Sequence, residues 1–397
     1  MAPSWLSRYL FRSIILVLWF AANFYVVGRF WSAAGLKGKR WIRISLVLVL
    51  AALFPVGHWV VGSGAGEWVE TALSGMGMFW IGLVSISLSV FLLLDIGWRL
   101  TGVASRLLTR TPKWWRGVAT GPGRRVWLGA IALVGVLVAW AVVGGHAAPR
   151  IRREVIPFAG AHCVGKSLTI AHLSDLHLGK EVGVEAFASM VDQVASLSPD
   201  VVVMTGDLLD DVGPHTDEAL RELDRLHPPL GIYAVTGNHE LYEGPDYFRA
   251  SMERHGVQVL SQSHVVLPNG VVLAGIDDTH FFSRGKVHAA TVAEALDAAL
   301  AGVAQGGCVV LLSHRPEVAL EAAERGVSLV LSGHTHAGQL PPFQIISPWF
   351  NGGFLGGLYK VQETVLNVSR GAGTWGPRMR LFAPSEIVFL QMTGVSP

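Results

Sequence analysis

The sequence is poor in charged residues and in cysteine. Only 15% of its 397 residues are charged, whereas an ordinary soluble protein has about 25%. This shortage argues against a disordered chain and against a purely soluble single domain. The two cysteines, Cys163 and Cys308, are too few for a disulfide scaffold or for a cysteine-based zinc or iron–sulfur cluster. Both stand in or near apolar runs, which favours two buried small side chains.

Acidic residues are almost absent from the first 150 positions. That part carries 15 Lys and Arg but only 3 Asp and Glu, whereas the remainder carries 16 and 26. Two of the 15 histidines fall in the first part. We therefore expect two physically different regions, residues 1–150 and residues 151–397.

Four long apolar runs fill the first region, at residues 13–28, 45–62, 71–94 and 126–145. A helix needs about 20 apolar residues to cross a bilayer, and the last three runs meet or nearly meet that length with almost no charge inside. Because the runs have no polar face, a soluble helical bundle is disfavoured. The first run is shorter, so a cleaved signal peptide is an alternative for it alone. We predict an all-α transmembrane region of about four helices.

Basic loops predict the orientation of these helices. The segments 29–40 and 99–125 are rich in Lys and Arg, whereas 63–70 has none and contains two Glu. Because basic loops stay on the cytoplasmic side, we expect a multi-pass protein of the cytoplasmic membrane whose second region lies outside the cytoplasm. Arg8 and Arg12 weakly oppose this orientation. Attraction to anionic lipid headgroups explains the basic loops more simply than nucleic-acid binding, so no nucleic-acid partner is expected.

The second region alternates short apolar β-type runs with helical segments, after a short basic stretch around Arg150, Arg152 and Arg153. Strands are predicted at 168–173, 201–204, 231–235, 271–276, 308–312 and 327–331, and helices at 183–197, 216–226, 247–255, 291–303 and 317–325. This alternation is typical of βαβ units around a largely buried sheet. We therefore predict an α/β domain over residues 151–397.

Polar turns follow five of these strands. Their residues with metal-binding or acid–base chemistry are Asp175, His177, Asp207, Asn238, His239, His314, His334 and His336. In open α/β sheets such strand ends converge on one site. Each motif alone has an ordinary explanation, such as a helix cap at Asn238, but together they suit manganese, zinc or iron. Because the possible ligands exceed the needs of one tetrahedral ion, we expect two divalent ions that share a bridging carboxylate.

The order and spacing of these motifs resemble the calcineurin-like metallophosphoesterase superfamily. The steps between successive motif residues are 32, 31, 76, 20 and 2 for Asp175, Asp207, Asn238, His314, His334 and His336. The resemblance covers about residues 165–392, and the stretches 371–377 and 380–390 look like the close of a bacterial branch that carries transmembrane helices or an export signal. It implies a four-layer α/β sandwich of two packed sheets with the metals at their strand ends.

The resemblance also implies a role for each residue. The first metal would be held by Asp175, His177 and His336, the second by Asn238, His314 and His334, with Asp207 bridging both. His239 would be the general acid, or would stabilise charge on the phosphoryl group. The implied reaction is in-line attack on phosphorus by a metal-bridged hydroxide. The complete ligand set argues against an inactive homologue.

Several features keep two interpretations. Arg315 either reaches a substrate phosphate or forms a surface ion pair, and Asp277 and Asp278 lie near the site or in an ordinary turn. His172 is expected to face the core or the second sheet. Residues 340–359 are apolar, aromatic and rich in Gly and Pro, so they are predicted as a loop. This loop either contacts lipid, as substrate or bilayer, or packs as a buried flap.

The sequence therefore predicts a membrane-anchored two-metal phosphohydrolase that acts on a phosphodiester or a lipid-linked phosphate. One alternative is an enzyme like the UDP-2,3-diacylglucosamine pyrophosphatases of lipid A synthesis, whose cytosolic substrate conflicts with the predicted orientation. Another is a non-catalytic membrane sensor with the same fold. Four spans without an internal repeat disfavour a transporter. The metal identity and the oligomeric state stay open.

Overall fold

The computed structural model describes residues 4–36, 38, 40–61, 63–107, 122–159, 163–179, 181–278, 291–304 and 306–395. The chain divides into two compact units. The helical unit comprises Met1–Val143 with two short later segments, Leu340–Pro342 and Gly376–Met379. The sheet unit comprises Gly144–Gln339, Phe343–Trp375 and Arg380–Pro397.

Four helices begin in the first part of the chain: α1 Ser4–Ala33, α2 Arg40–Val60, α3 Glu67–Leu107 and α4 Arg124–His146. Each contains a stretch long and apolar enough to cross a membrane, which confirms the four apolar helices predicted. Small residues let α2 and α3 approach closely, because a side chain at Gly57 or Gly77 would collide with the backbone of the other helix. Such contacts are common between membrane helices.

Polar side chains in the helical unit bind one another across helices. The carboxylate of Asp95 accepts a hydrogen bond from the Tyr25 hydroxyl at 2.5 Å and another from Arg29. The Arg29 guanidinium also lies 4.5 Å from the ring centre of Trp127. Because these residues lie on α1, α3 and α4, the cluster ties three helices together.

The two short later segments pack against α3. Ser85 Oγ donates a hydrogen bond to the carbonyl oxygen of Pro341 at 2.6 Å, and Met379 fills the space beside Gly82. Ser85 lies 18 residues after the start of α3, which is about 27 Å along the helix axis. Residues 340–342 therefore lie beside α3, within the stretch of this helix that is long and apolar enough to cross a membrane.

Two six-stranded sheets form the centre of the sheet unit. The first has the order β1-β12-β2-β3-β4-β5, and the second has the order β10-β11-β9-β8-β7-β6. The strands are β1 Arg150–Ala159, β2 Ser167–Leu173, β3 Val201–Thr205, β4 Ile232–Val235, β5 Val257–Val259, β6 Ser263–Val266, β7 Val272–Gly275, β8 Val309–Leu312, β9 Leu329–Ser332, β10 Gly357–Val361, β11 Thr364–Val368 and β12 Glu386–Val395. β2 to β5 are parallel, as are β7, β8, β9 and β11.

Helices connect the strands of both sheets. They are α5 Val184–Leu197, α6 Pro214–Leu220, α7 Asn238–Glu243, α8 Pro245–Arg254, α9 Val292–Ala299, α10 Ala319–Glu324 and α11 Phe343–Ile346, with short 3-10 turns at Arg221–Arg225, Pro316–Val318, His336–Gly338 and Ser347–Phe350. One apolar core lies under α5, α6 and α8, another lies between the sheets, and a third lies under α9 and α10. The predicted four-layer α/β sandwich is confirmed.

Two sequence-based interpretations need correction. The basic stretch at 150–153 is the start of β1, which pairs in parallel with β12 along its whole length. Residues 340–359 are not a simple loop, because they contain α11, a 3-10 turn and the start of β10. Alternating charged and apolar residues had hidden the strand, and the density of Gly and Pro had hidden the helical turns.

The two cysteines are buried, as expected, but they are bonded to each other. Cys163 and Cys308 form a disulfide with their Cα atoms 5.1 Å apart. Cys163 precedes β2 and Cys308 directly precedes β8, so the bond links the two sheets. The expectation of two separate small side chains is therefore wrong.

Candidate metal centre

The turns after β2, β3, β4, β8 and β9 carry every residue predicted for the site. These strands are parallel within their sheets, so their carboxyl ends lie on one edge. In the first group of side chains, His177 Nε2 lies 3.0 Å from His336 Nε2. Asp175 Oδ1 lies 3.4 Å from the same His336 nitrogen. These three side chains are buried and present converging donor atoms to one point.

Asp207, His314 and His334 form a second group of converging donor atoms, in which Asp207 and His314 are buried and His334 is half-buried. His314 Nε2 lies 3.2 Å from Asp207 Oδ2 and 3.1 Å from His334 Nδ1. The amide oxygen of Asn238 is buried and has no hydrogen-bond partner among the described residues. A buried carbonyl oxygen without a donor costs free energy, and a cation would remove that cost. The donor set therefore fits divalent ions.

The backbone at these turns adopts a conformation that side chains disfavour. Asp175, His177, Asp207, His334 and His336 all have left-handed φ angles, between 48° and 71°. Such strain is typical of functional sites, where surrounding contacts enforce it. Close packing also requires glycine here, since a side chain at Gly237 or Gly333 would collide with the carboxylate of Asp207 or Asp175.

Asp210 is a site residue that the sequence analysis missed. Its Oδ1 lies 2.5 Å from His177 Nδ1 and 2.8 Å from His239 Nδ1. Burial opposes charge on His239, but the hydrogen bond to Asp210 and the charge of Asp207 raise the pKa of His239 to about 9. The two imidazoles in turn hold the pKa of Asp210 at about 2, against the effect of burial. Its position three residues after Asp207 was the available signal.

Glu240 is a second missed residue, and it holds the turn that carries Asp207. Its two carboxylate oxygens accept hydrogen bonds from the backbone N–H groups of Asp207, Leu208, Leu209 and Gly237, at 2.6–3.1 Å. The side chain is buried. Glu240 therefore fixes the turns after β3 and β4 relative to each other, without pointing at the site itself.

Arg380 is a third missed residue, and it supports His336 from behind. The guanidinium is fully buried, with Nη2 3.2 Å from His336 Nδ1. Its other hydrogen bonds go to the backbone oxygens of His336, Gly371, Gly373 and Ala383. Burial lowers the pKa of Arg380 to about 10. A lone Arg in a Gly-rich stretch gave no pattern from which this role could be predicted.

The site concentrates negative charge around its imidazoles. Burial opposes protonation of His314, but the charge of Asp207 raises the pKa of His314 to about 10. Burial also opposes ionisation of Asp207, yet His314 and the neighbouring imidazoles hold its pKa well below its usual value. A positive charge is therefore favoured between these two residues, whether a proton or a metal ion supplies it.

The less certain candidates fall into distinct places. Arg315 binds Asp278, whose side chain is wholly buried, so the pair is not on the surface. Asp277 accepts a hydrogen bond from the Thr236 hydroxyl at 2.7 Å, in the turn after β4. His172 is buried and lies 2.8 Å from the Thr205 hydroxyl, which confirms the core position expected for it.

Comparison with known proteins gives a consistent result. A family model described as calcineurin-like phosphoesterase matches residues 168–338. The chain is 35% identical over 329 residues to a transmembrane protein with metallophosphoesterase domain from Danio rerio, covering 78% of this chain and 72% of that protein. It is 35% identical over 231 residues to an uncharacterized metallophosphoesterase of Campylobacter jejuni, covering 58% of this chain and 60%, less than two thirds, of that protein.

A dimetal phosphatase from Danio rerio is similar among solved structures, with a TM-score of 0.38 and 14% identity over 57% of this chain and 99% of that one. The family match and the Danio rerio transmembrane relative carry the assignment. They agree with the ordered motifs and with the candidate ligand groups of the described residues. The chain belongs to the calcineurin-like metallophosphoesterase family, whose members are phosphoester hydrolases.

Proposed function

We propose that this protein is a membrane-anchored phosphohydrolase that holds two divalent ions and cleaves a phosphodiester or a lipid-linked phosphate. The observation that carries the proposal is the convergence of buried donor atoms in two groups, beside the unpartnered amide oxygen of Asn238. Asp175, His177 and His336 would hold one ion, and Asn238, His314 and His334 the other. Asp207 would contact both.

Two bound divalent ions would supply Lewis acidity and an activated water nucleophile at neutral pH. The remaining chemistry belongs to the protein, and it centres on His239. Asp210 accepts the Nδ1–H of His239 and so orients the ring, while Nε2 lies 3.9 Å from Asp207 Oδ2, at the edge of the site. The hydrogen bond to Asp210 and the charge of Asp207 raise the pKa of His239, which favours a protonated ring that can donate a proton to the leaving oxygen.

A matched set of variants tests the hydrolase proposal. Asp207→Asn should abolish both bound ions and turnover of bis(p-nitrophenyl) phosphate. His239→Ala should leave the metal content intact and lower kcat by about 10²–10⁴-fold. His255→Ala is the control, because His255 pairs with Asp224 on the surface at 2.8 Å, as His239 pairs with Asp210. Full activity of His239→Ala would remove the acid role, and no metal-dependent hydrolysis at all would favour the non-catalytic sensor.

An aromatic segment supports an amphiphilic substrate. We define it as residues 343–350, in which Phe343, Ile345, Trp349 and Phe350 are 50–79% exposed. Its backbone packs so closely on Gly338, two residues after His336, that no side chain fits there. The segment directly follows Leu340–Pro342, which belong to the helical unit. Exposed Trp and Phe next to membrane-spanning elements are typical of the bilayer interface, which favours lipid contact over a buried flap.

Two substrates with the same leaving group separate lipid contact from a structural role. One is a p-nitrophenyl phosphodiester with a long alkyl chain, presented in vesicles, and the other is bis(p-nitrophenyl) phosphate in solution. The double variant Trp349→Ser/Phe350→Ser should lose activity on the alkyl substrate only. Leu320→Ser, which changes an exposed apolar side chain of α10, should affect neither. Equal loss on both substrates would favour the structural role.

The sheet unit is proposed to lie outside the cytoplasm. The basic loops favour this side, although residues 108–121 of the second loop lie outside the described residues. The disulfide between Cys163 and Cys308 adds support, since disulfides persist mainly in oxidising compartments. Paired reporters after Pro397, one active only outside and one only inside, test the side. An inside signal would make the UDP-lipid pyrophosphatase the leading alternative.

A further inference from the structure

Arg315 and Asp278 form an ion pair that the proposed reaction does not use. Asp278 follows β7 and Arg315 follows β8, which are neighbours in the second sheet. Arg315 Nε donates to both carboxylate oxygens of Asp278, at 3.0 and 2.8 Å. The Asp278 side chain is wholly buried, whereas that of Arg315 is 17% exposed. Because the carboxylate binds Nε alone, the two terminal nitrogens of the guanidinium are directed elsewhere.

One of those terminal nitrogens, Nη1, contacts the outer side of a proposed metal ligand. Arg315 Nη1 lies 2.9 Å from His334 Nε2, while the opposite nitrogen, Nδ1, faces His314 in the second ligand group. If Nδ1 offers its lone pair to a cation, the neutral imidazole carries its proton on Nε2. Arginine nitrogens are donors only. The contact then joins two donor groups, and an anionic oxygen that accepts from both would stabilise it.

The position of the Arg315 guanidinium bears on the kind of substrate that the site would bind. The imidazole of His334 lies between the guanidinium and His314, so Arg315 stands beside the second group of proposed ligands rather than among them. The Arg315 side chain is 17% exposed, so part of the guanidinium is accessible from solvent. A charged donor held in this way suits a second anionic group beside the scissile phosphate.

We propose that Arg315, positioned by Asp278, binds a second anionic group of the substrate, such as an adjoining phosphate. This inference rests on the proposed phosphohydrolase function and narrows its substrate class to phosphoesters with two neighbouring anionic groups. Arg315 is a binding residue in this scheme, and Asp278 is a positioning residue that keeps the guanidinium turned toward His334.

Equilibrium binding to the metal-loaded full chain tests the proposal without turnover. The probes are methylenediphosphonate, which carries two anionic groups, and inorganic phosphate, which carries one. By calorimetry, Arg315→Gln should weaken methylenediphosphonate binding by at least about tenfold, because one charge-assisted hydrogen bond is lost. Phosphate binding should change by less than about twofold. Metal content is measured after each titration, since the diphosphonate is itself a chelator.

Two further variants keep the test interpretable. Asp278→Asn should weaken the diphosphonate in the same direction as Arg315→Gln, and Arg315→Lys covers the case in which Asp278→Asn fails to fold. Arg325→Gln is the matched control, because Arg325 makes the same Nε contact with the exposed Asp297, at 2.8 Å. Unchanged diphosphonate affinity in Arg315→Gln, or equal weakening of both probes, would overturn the inference. If the unmodified protein shows no metal-dependent hydrolysis, the proposed function itself is contradicted.

Discussion

Replacing Glu240 with Gln changes only one oxygen of a buried carboxylate, but it removes half of the hydrogen bonds that the side chain accepts. Oε2 accepts from the backbone N–H groups of Asp207 and Gly237, at 2.9 and 2.6 Å. Oε1 accepts from Leu208 and Leu209, at 2.6 and 3.1 Å. A Gln side chain keeps one acceptor oxygen, and its NH2 group must then face two other donors. Two of the four hydrogen bonds are therefore lost in either orientation.

The expected cost follows from the strength of these bonds. Hydrogen bonds to a charged group contribute about 1.5–3 kcal/mol each, so Glu240→Gln should destabilise the sheet unit by about 3–6 kcal/mol. Whole domains are stable by only about 5–15 kcal/mol, so this is a large fraction. The same change frees the turn that positions Asp207, and metal affinity should fall together with stability.

Protease sensitivity in increasing urea measures the stability of the detergent-purified protein, and metal titration measures the affinity. Glu253→Gln is the control, because Glu253 is exposed on α8 and undergoes the same chemical change. Destabilisation of only about 0.5 kcal/mol by Glu240→Gln, which is typical of a surface substitution, would refute the view that this carboxylate holds both turns. Lost stability with unchanged metal affinity would refute only its link to Asp207.

Three further predictions concern His172, the disulfide and Arg380. Burial and then the charge of a neighbouring Arg lower the pKa of His172 to about 3, so its contribution to stability is complete above pH 6.5 and is lost as the pH falls toward 3. In urea unfolding, the free energy of unfolding of His172→Gln should therefore fall by about 2 kcal/mol less than that of the unmodified protein between pH 7 and pH 5. The same pH profile in both proteins would contradict this. Cys163→Ser should lower the free energy of unfolding by about 4–5 kcal/mol, because the unfolded chain regains the entropy that a crosslink across 145 residues removes. A reductant should destabilise Cys308→Ser less than the unmodified protein. Arg380→Lys should weaken the affinity for the ion near His336 by about 10–100-fold in metal titration. Unchanged affinity for both ions, or equal weakening of both, would contradict a role for Arg380 through His336.

Much of the fold was predictable because of how parallel strands are buried. Strands such as 201–204 are covered on both faces, so they appear in the sequence as short continuous apolar runs. The turns that follow them carry residues whose chemistry is recognisable without a structure, and the fold places His177 beside His336. The strand β1 escaped prediction because it lies at the edge of its sheet, where Arg152 and Arg153 alternate with apolar residues.

The supporting residues could not be predicted in the same way. Glu240 and Asp210 act on backbone amides and on other side chains, so their role depends on distances that spacing does not give. Arg380 reaches His336 from a stretch without periodicity. The disulfide joins cysteines 145 residues apart, and their proximity follows only from the stacking of the two sheets.

The order of strands in the first sheet bears on how the protein is made. β12 lies between β1 and β2, yet it is the last of the described strands to leave the ribosome. Until it arrives, β1 emerges directly after α4 with no strand beside it, and β2 has an unpaired edge. During synthesis the nascent chain would therefore expose two open strand edges close to the membrane, where they can pair wrongly with other chains. Ribosome stalling before residue 386 should yield a product that depends on chaperones, and release of the C-terminal strand should end that dependence.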